Sequence, residues 1–180
     1  MSLPSFPYHP DPIATGSVVA SKSTCTCCGS ARGFVYAGPV VGDTEPGAIC
    51  PWCIANGSAH ARFDVAFTRA DCIGGGGHWD AVPPDVENEV AHRTPGFSGW
   101  QPELWWTHCG DAAQFLGRAG RTELEALGPQ AVDAIRESTG LEPGAEWNEF
   151  FAALRKDDSP QAYVFRCRHC AALGGYQDCD

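Results

Sequence analysis

The feature that most constrains this chain is a set of paired cysteines. Cys25 and Cys28 stand in CTCCG, Cys50 and Cys53 in CPWC, and Cys167 and Cys170 in FRCRHC. Two residues between cysteines make a tight turn that gathers both thiolates round one point and aims backbone amides at the sulfurs. Two such turns make a four-sulfur cage. The 21 residues between Cys28 and Cys50 slightly exceed the ~15–20 that mark zinc sites, an excess that a hairpin loop absorbs. The first two pairs therefore predict a structural zinc site. Cys27 lies inside the first turn, so the choice of Cys25 over it rests on spacing.

The third pair supplies only two donors. His108 and Cys109 are candidates to complete it, with Cys72, Cys179 and His169 as the alternatives. The set His108, Cys109, Cys167 and Cys170 is the expected second zinc site, and an open position there would activate water. Whether Cys27, Cys72 and Cys179 are free thiols is undecided by sequence.

Ten cysteines in 180 residues raise the question of compartment. The opening stretch MSLPSFPYHPDPIATG has no Lys or Arg and no unbroken apolar run, so no secretory leader is expected. In a reducing cytoplasm, cysteines are metal ligands or reactive thiols rather than a disulfide framework. The formal charge of −10 opposes a phosphate backbone, so nucleic acid is not an expected partner. No apolar run approaches the ~18 residues of a membrane span.

The fold class expected is α+β. Residues 1–24, with Pro4, Pro7, Pro10 and Pro12, predict an extended arm anchored on the surface by Phe6 and Tyr8. Residues 25–62 predict a zinc-ribbon-like β lobe: GFVYAGPVV suits a strand, and a short helix weakened by Gly57 follows. Residues 63–180 predict a mainly helical remainder packed with that lobe as one compact unit. Within it, Gly74 to Gly77 read as a mobile loop. A helix is expected from Pro102, with Trp105, Cys109, Ala112 and Leu116 on one face. A second is capped by Thr122 and Glu125 and closed by Gly128, and a third runs from Pro129 to Gly140. The last carries the stripe Trp147, Phe150, Phe151 and Leu154. AYVFRC then reads as a strand that leads into the last cysteine knuckle, with LGGYQD as its hairpin partner.

Several stretches match a known family: LPSFPYHPDPIATG, CTCCG, FVYAGP, ICPWCIANGSA, RTPGFSGWQPELWWTHCGDAAQFLG and VFRCRHC. Through them nearly the whole chain resembles the CbrC family, small bacterial proteins without an assigned activity. The resemblance implies a bacterial, cytoplasmic setting and carries over Cys25, Cys28, Cys50, Cys53, Cys109, Cys167 and Cys170, but implies no reaction. Two positions depart from it. Ala113 stands where related sequences have a cysteine, so a second site relying on that thiol would be incomplete. Ala171 stands where they tend to glycine, which predicts a looser third turn.

The leading expectation is a zinc-binding protein acting as a binding or adaptor protein in a bacterial stress or envelope response. Its contact surface for a protein or small-molecule partner would be Phe97, Trp100, Trp105 and Trp106, although aromatic stripes are more often core. There is no G-x-S-x-G, no H-E-x-x-H, no phosphate-binding loop and no zinc-deaminase signature, so no catalytic residue is named. Two enzymatic alternatives stand beside this reading. One is a thiol-disulfide oxidoreductase using Cys50 and Cys53, and the other a zinc hydrolase at the second site.

Overall fold

AYVF in the last third of the chain is a continuous apolar run, which a strand needs when it is covered on both faces. In the computed structural model, which describes residues 2–179, this run is the centre of the principal sheet. The sheet is antiparallel, with order β5–β6–β7: β5 spans Gln114–Ala119, β6 Gln161–Arg166 and β7 Leu173–Asp178. One face carries Tyr163, Phe165 and Tyr176 against Phe97, Trp105, Trp106 and Phe115. The other carries Ala162 and Val164 beneath α4 (Arg121–Leu127), α5 (Pro129–Thr139) and α6 (Ala145–Ala153). Cys167 to Cys170 form the turn between β6 and β7, so LGGYQD is the expected hairpin partner.

Local signals place the helices. α5 begins at Pro129 and is closed by Gly140 in the left-handed conformation at φ 70°. α6 buries Trp147, with Leu154 just beyond it. α4 begins earlier than Thr122 predicts: Gly120 is the N-cap, and its N–H donates to the Glu123 carboxylate at 3.0 Å.

The helix expected from Pro102 is absent. β3 (Thr107–His108) and β4 (Asp111–Ala112) pair across Cys109 and Gly110, and β5 follows at once. Cys109 and Gly110 have φ of 58° and 68°, a two-residue hairpin turn that no right-handed helix can continue through. Along β5 the buried residues Phe115, Gly117 and Ala119 alternate with partly exposed ones, the period of a strand.

The N-terminal lobe is built round the first cysteines. β1 (Val18–Ala20) pairs antiparallel with β2 (Phe34–Tyr36), and the Cys25–Cys28 turn lies in their connection. Cys50 and Cys53 sit at the start of α1 (Pro51–Ala55), and α2 (Ser58–Phe63) follows after Gly57 at φ 75°. α3 (Pro84–Arg93) lies beyond the glycine run. Gly74 to Gly77 all have φ between 59° and 91°, and the Trp79 N–H closes the turn on the Gly74 carbonyl at 3.0 Å.

The amino-terminal segment alternates exposed residues with buried side chains that hold it to the fold. Phe6 is buried beside the first four cysteines and Tyr8 in the aromatic face of the sheet. His9 is wholly buried between the Pro95 carbonyl and the Thr15 hydroxyl, each at 2.7 Å. A carbonyl only accepts, so Nδ1 carries the proton and Nε2 accepts from Thr15. Burial pushes the His9 pKa down to about 4. Among the described residues, no helix is long and apolar enough to cross a membrane.

Candidate metal centres

The turn at Cys25–Cys28 and the start of α1 bring four thiols together. Cys25, Cys28, Cys50 and Cys53 offer sulfurs all within 4.8 Å of one another. The Cys25–Cys53 distance is 3.8 Å, Cys28–Cys50 3.9 Å and Cys50–Cys53 3.6 Å. These are far too long for disulfides at ~2.05 Å. They match the ~3.8 Å edge of a tetrahedron whose sulfurs lie ~2.3 Å from a zinc ion. The Cys50 N–H donates to the Cys25 sulfur at 3.2 Å. Burial pushes the Cys50 thiol up, and it would push Cys28 up too, but the Ser30 amide and the neighbouring thiols draw Cys28 down to about 7. Three of the four cysteines are buried and Cys28 is exposed.

Cys27 is not in this group. Its sulfur turns to the Ser58 hydroxyl at 3.5 Å.

The second group joins two turns distant in sequence. His108 and Cys109 come from the β3–β4 hairpin, Cys167 and Cys170 from the β6–β7 turn, and their donor atoms also lie within 4.8 Å of one another. The sulfurs of Cys109 and Cys170 are 3.8 Å apart, and the His108 Nδ1 is 3.2 Å from the first and 3.5 Å from the second. A tetrahedron of ~2.05 Å to nitrogen and ~2.3 Å to sulfur has a mixed edge of ~3.6 Å. Burial would raise the Cys167 thiol, but the amides of Cys170 and His169 outweigh it and bring it down to about 6. Cys109 and Cys170 are exposed.

Behind this group stands a polar clamp that the sequence does not announce. The buried Asp111 carboxylate accepts from Tyr8 Oη at 3.0 Å and Arg168 at 2.9 Å, and meets His169 Nε2 at 2.9 Å. It thus ties the turn carrying Cys167 and Cys170 to the hairpin carrying His108 and Cys109. Outer contacts of this kind orient metal ligands. Only the closeness of Asp111 and His169 to donor residues could have pointed to them. Tyr8 had no signal.

The two departures from the expected pattern also find their places. Ala113 is buried in the core, and the fourth atom of the group is a nitrogen of His108. Ala171 has φ 62°, a conformation that costs any residue but glycine. Cys72 is buried, with its carbonyl bound by the Trp105 N–H at 2.9 Å, and Cys179 is exposed. All ten cysteines are unbridged.

The expected aromatic contact surface is mostly core. Phe97, Trp105 and Trp106 are buried, Phe97 stacking on Phe115 at 3.9 Å, and only Trp100 is exposed, at 49%. Their cover includes Phe115 on the nearby β5 and Tyr163 and Phe165 on β6, a strand distant in sequence.

Fold and site together define a small α+β protein with two four-donor cysteine clusters able to hold metal ions. The chain belongs to the uncharacterised protein family UPF0167, whose family model matches residues 3–179. It is 47% identical over 182 residues to a UPF0167 protein of Mycobacterium bovis, covering 98% of this chain and 93% of that one. A UPF0167 protein of Mycobacterium tuberculosis matches with the same identity and coverage. One from Pseudomonas aeruginosa is 43% identical over 170 residues, covering 93% of this chain and 92% of its own. No solved structure matches.

Proposed function

We propose that this is a bacterial zinc protein of the CbrC type that works by binding a partner rather than by catalysis, with a structural zinc at Cys25, Cys28, Cys50 and Cys53 and a second zinc at His108, Cys109, Cys167 and Cys170. The observation that carries the reading is the spacing of the donors, which in both clusters fits a tetrahedral ion. Four protein donors close a zinc site, so neither cluster leaves a position for an activated water. That weighs against the hydrolase. The oxidoreductase is disfavoured because Cys50 and Cys53 share their space with two further thiols, and a zinc held by all four would occupy both sulfurs. Ten unbridged cysteines suit a reducing cytoplasm. A zinc held by four thiolates adds about −2 to an already acidic chain, which keeps nucleic acid an improbable partner.

Native mass spectrometry of protein purified without chelator tests this. The expected result is two zinc ions per chain, one lost in Cys50→Ser and the other in Cys167→Ser. Metal-free, folded protein with a Cys50–Cys53 disulfide would overturn the reading in favour of redox chemistry.

A further inference from the structure

A cleft of about 600 Å³ runs along the outer edge of β7. One wall is aromatic and apolar, formed by Trp79, Leu104 and Trp106, and the other is the flank of α5 at Ala134, Glu137 and Ser138. His108 of the second cluster also lines it, stacked on Trp106 with centroids 5.1 Å apart.

β7 is an edge strand, because the sheet order is β5–β6–β7. Along an antiparallel edge, residues alternate between turning both N–H and C=O to the neighbouring strand and turning both away. Leu173 donates its N–H to Gln130 Oε1 at 3.3 Å, and Gln177 donates to Ser138 Oγ at 3.2 Å. Both therefore face outward, and so does Gly175 midway between them. α5 presents Gln130, Ala134 and Ser138 at four-residue intervals, so the position facing Gly175 is Ala134, which has no polar side-chain atom. The helix caps the outer amides of this edge on both sides of Gly175 and leaves Gly175 uncapped. Gly175 is itself buried and lines the cleft. A buried amide without a partner is costly, and a ligand that supplies one is rewarded.

We propose that this cleft binds a small planar heterocycle of the lactam type, whose N–H and C=O on one ring edge pair with the C=O and N–H of Gly175 while its face lies against Trp79. An extended peptide fits less well. A strand added to β7 would engage residues 173, 175 and 177 in turn, and two of those three amides are already taken by α5. A ring edge needs one residue only, and aromatic walls suit a flat ring.

The test is a titration of uracil and 2-pyridone into isotope-labelled, zinc-replete protein, followed by the amide resonance of Gly175 and the indole resonances of Trp79 and Trp106. Saturable shifts at all three are expected. 1,3-Dimethyluracil, which keeps the ring and loses the donors, should bind about tenfold more weakly, the worth of one hydrogen bond. Ala134→Gln gives Gly175 the cap that Gln130 gives Leu173. It should also weaken uracil about tenfold while leaving the thermal midpoint unchanged or higher, and Ala134→Ser serves if the longer side chain does not fold. The proposal is overturned if neither probe saturates, if the dimethyl compound or the capped variant binds as well as its reference, or if a short extended peptide shifts Gly175 and uracil does not. Gly175 reports on the cleft whatever metal the second cluster holds.

Discussion

The two clusters have the same number of donors and opposite surroundings. The first is the interior of its lobe: its sulfurs pack with Phe6, Tyr36, Ile49 and Ile54, and the hairpin beside it pairs over three residues a strand. The second sits on the rim of a sheet whose own core holds Trp105, Phe115, Tyr163 and Phe165. A metal built into a lobe's interior and a metal at a sheet's rim would have different energetic roles. In the first, binding energy would be folding energy; in the second, the fold stands on apolar burial and an ion would add a local staple.

Breaking the comparison starts where the loss is largest. Cys50→Ser should remove one zinc and cost at least about 3 kcal/mol, because ligand loss there undoes the lobe itself; thermal melts with metal counting read it. Next comes the segment that joins the two regions, through His9. Its folded pKa of about 4 lies below the unfolded value near 6.5. The unfolded chain therefore binds the extra proton between those values, and stability falls as pH drops from about 6.5 to about 4, by up to about 3 kcal/mol. Denaturant melts across that window should show the slope, and His9→Gln should flatten it.

A smaller loss belongs to the rim. Cys109→Ser should release the second zinc yet cost only about 1–2 kcal/mol, the scale of a lost local contact. A chelator added to intact protein should likewise strip this ion before the buried one, followed by the release of one zinc into a colour indicator. Smallest, and opposite in sign, is Ala171→Gly, which should stabilise by about 1 kcal/mol by relieving the left-handed backbone. Its check is a raised melting midpoint with slower zinc release from the second cluster. Equal costs for Cys50→Ser and Cys109→Ser would erase the distinction between the two sites.

Which parts could be foreseen follows from the range of the forces involved. Cys-x-x-Cys turns are local, so Cys25, Cys28, Cys50 and Cys53 and the pair Cys167 and Cys170 stand out in the sequence, and so do Pro129 and Gly140 at the ends of α5, whereas His108 and Cys109 are two candidates among several until the fold brings them to that pair. The segment from Pro102 to Leu116 misleads because apolar residues three and four apart satisfy a helix on paper. The decision lies instead in the left-handed pair Cys109 and Gly110 and in pairing with β6, whose partners stand about fifty positions away. The aromatic segment looks like a surface for the same reason: Tyr163 and Phe165, which help to cover Phe97 and Trp105, come from far along the chain. The Asp111 clamp joins Tyr8, Arg168 and His169 across sequence gaps of 103, 57 and 58 residues, which no short motif records.

The position of Tyr8 bears on the order in which the molecule is completed. Its ring lies under the Arg168 guanidinium, 4.6 Å from the ring centroid, and its carbonyl accepts the Phe115 N–H at 2.8 Å. During synthesis these seats do not exist until nearly the whole chain has left the ribosome, while domains otherwise begin folding from the end made first. Tyr8 is thus made well before its seat and installed late, over a sheet that must already be there.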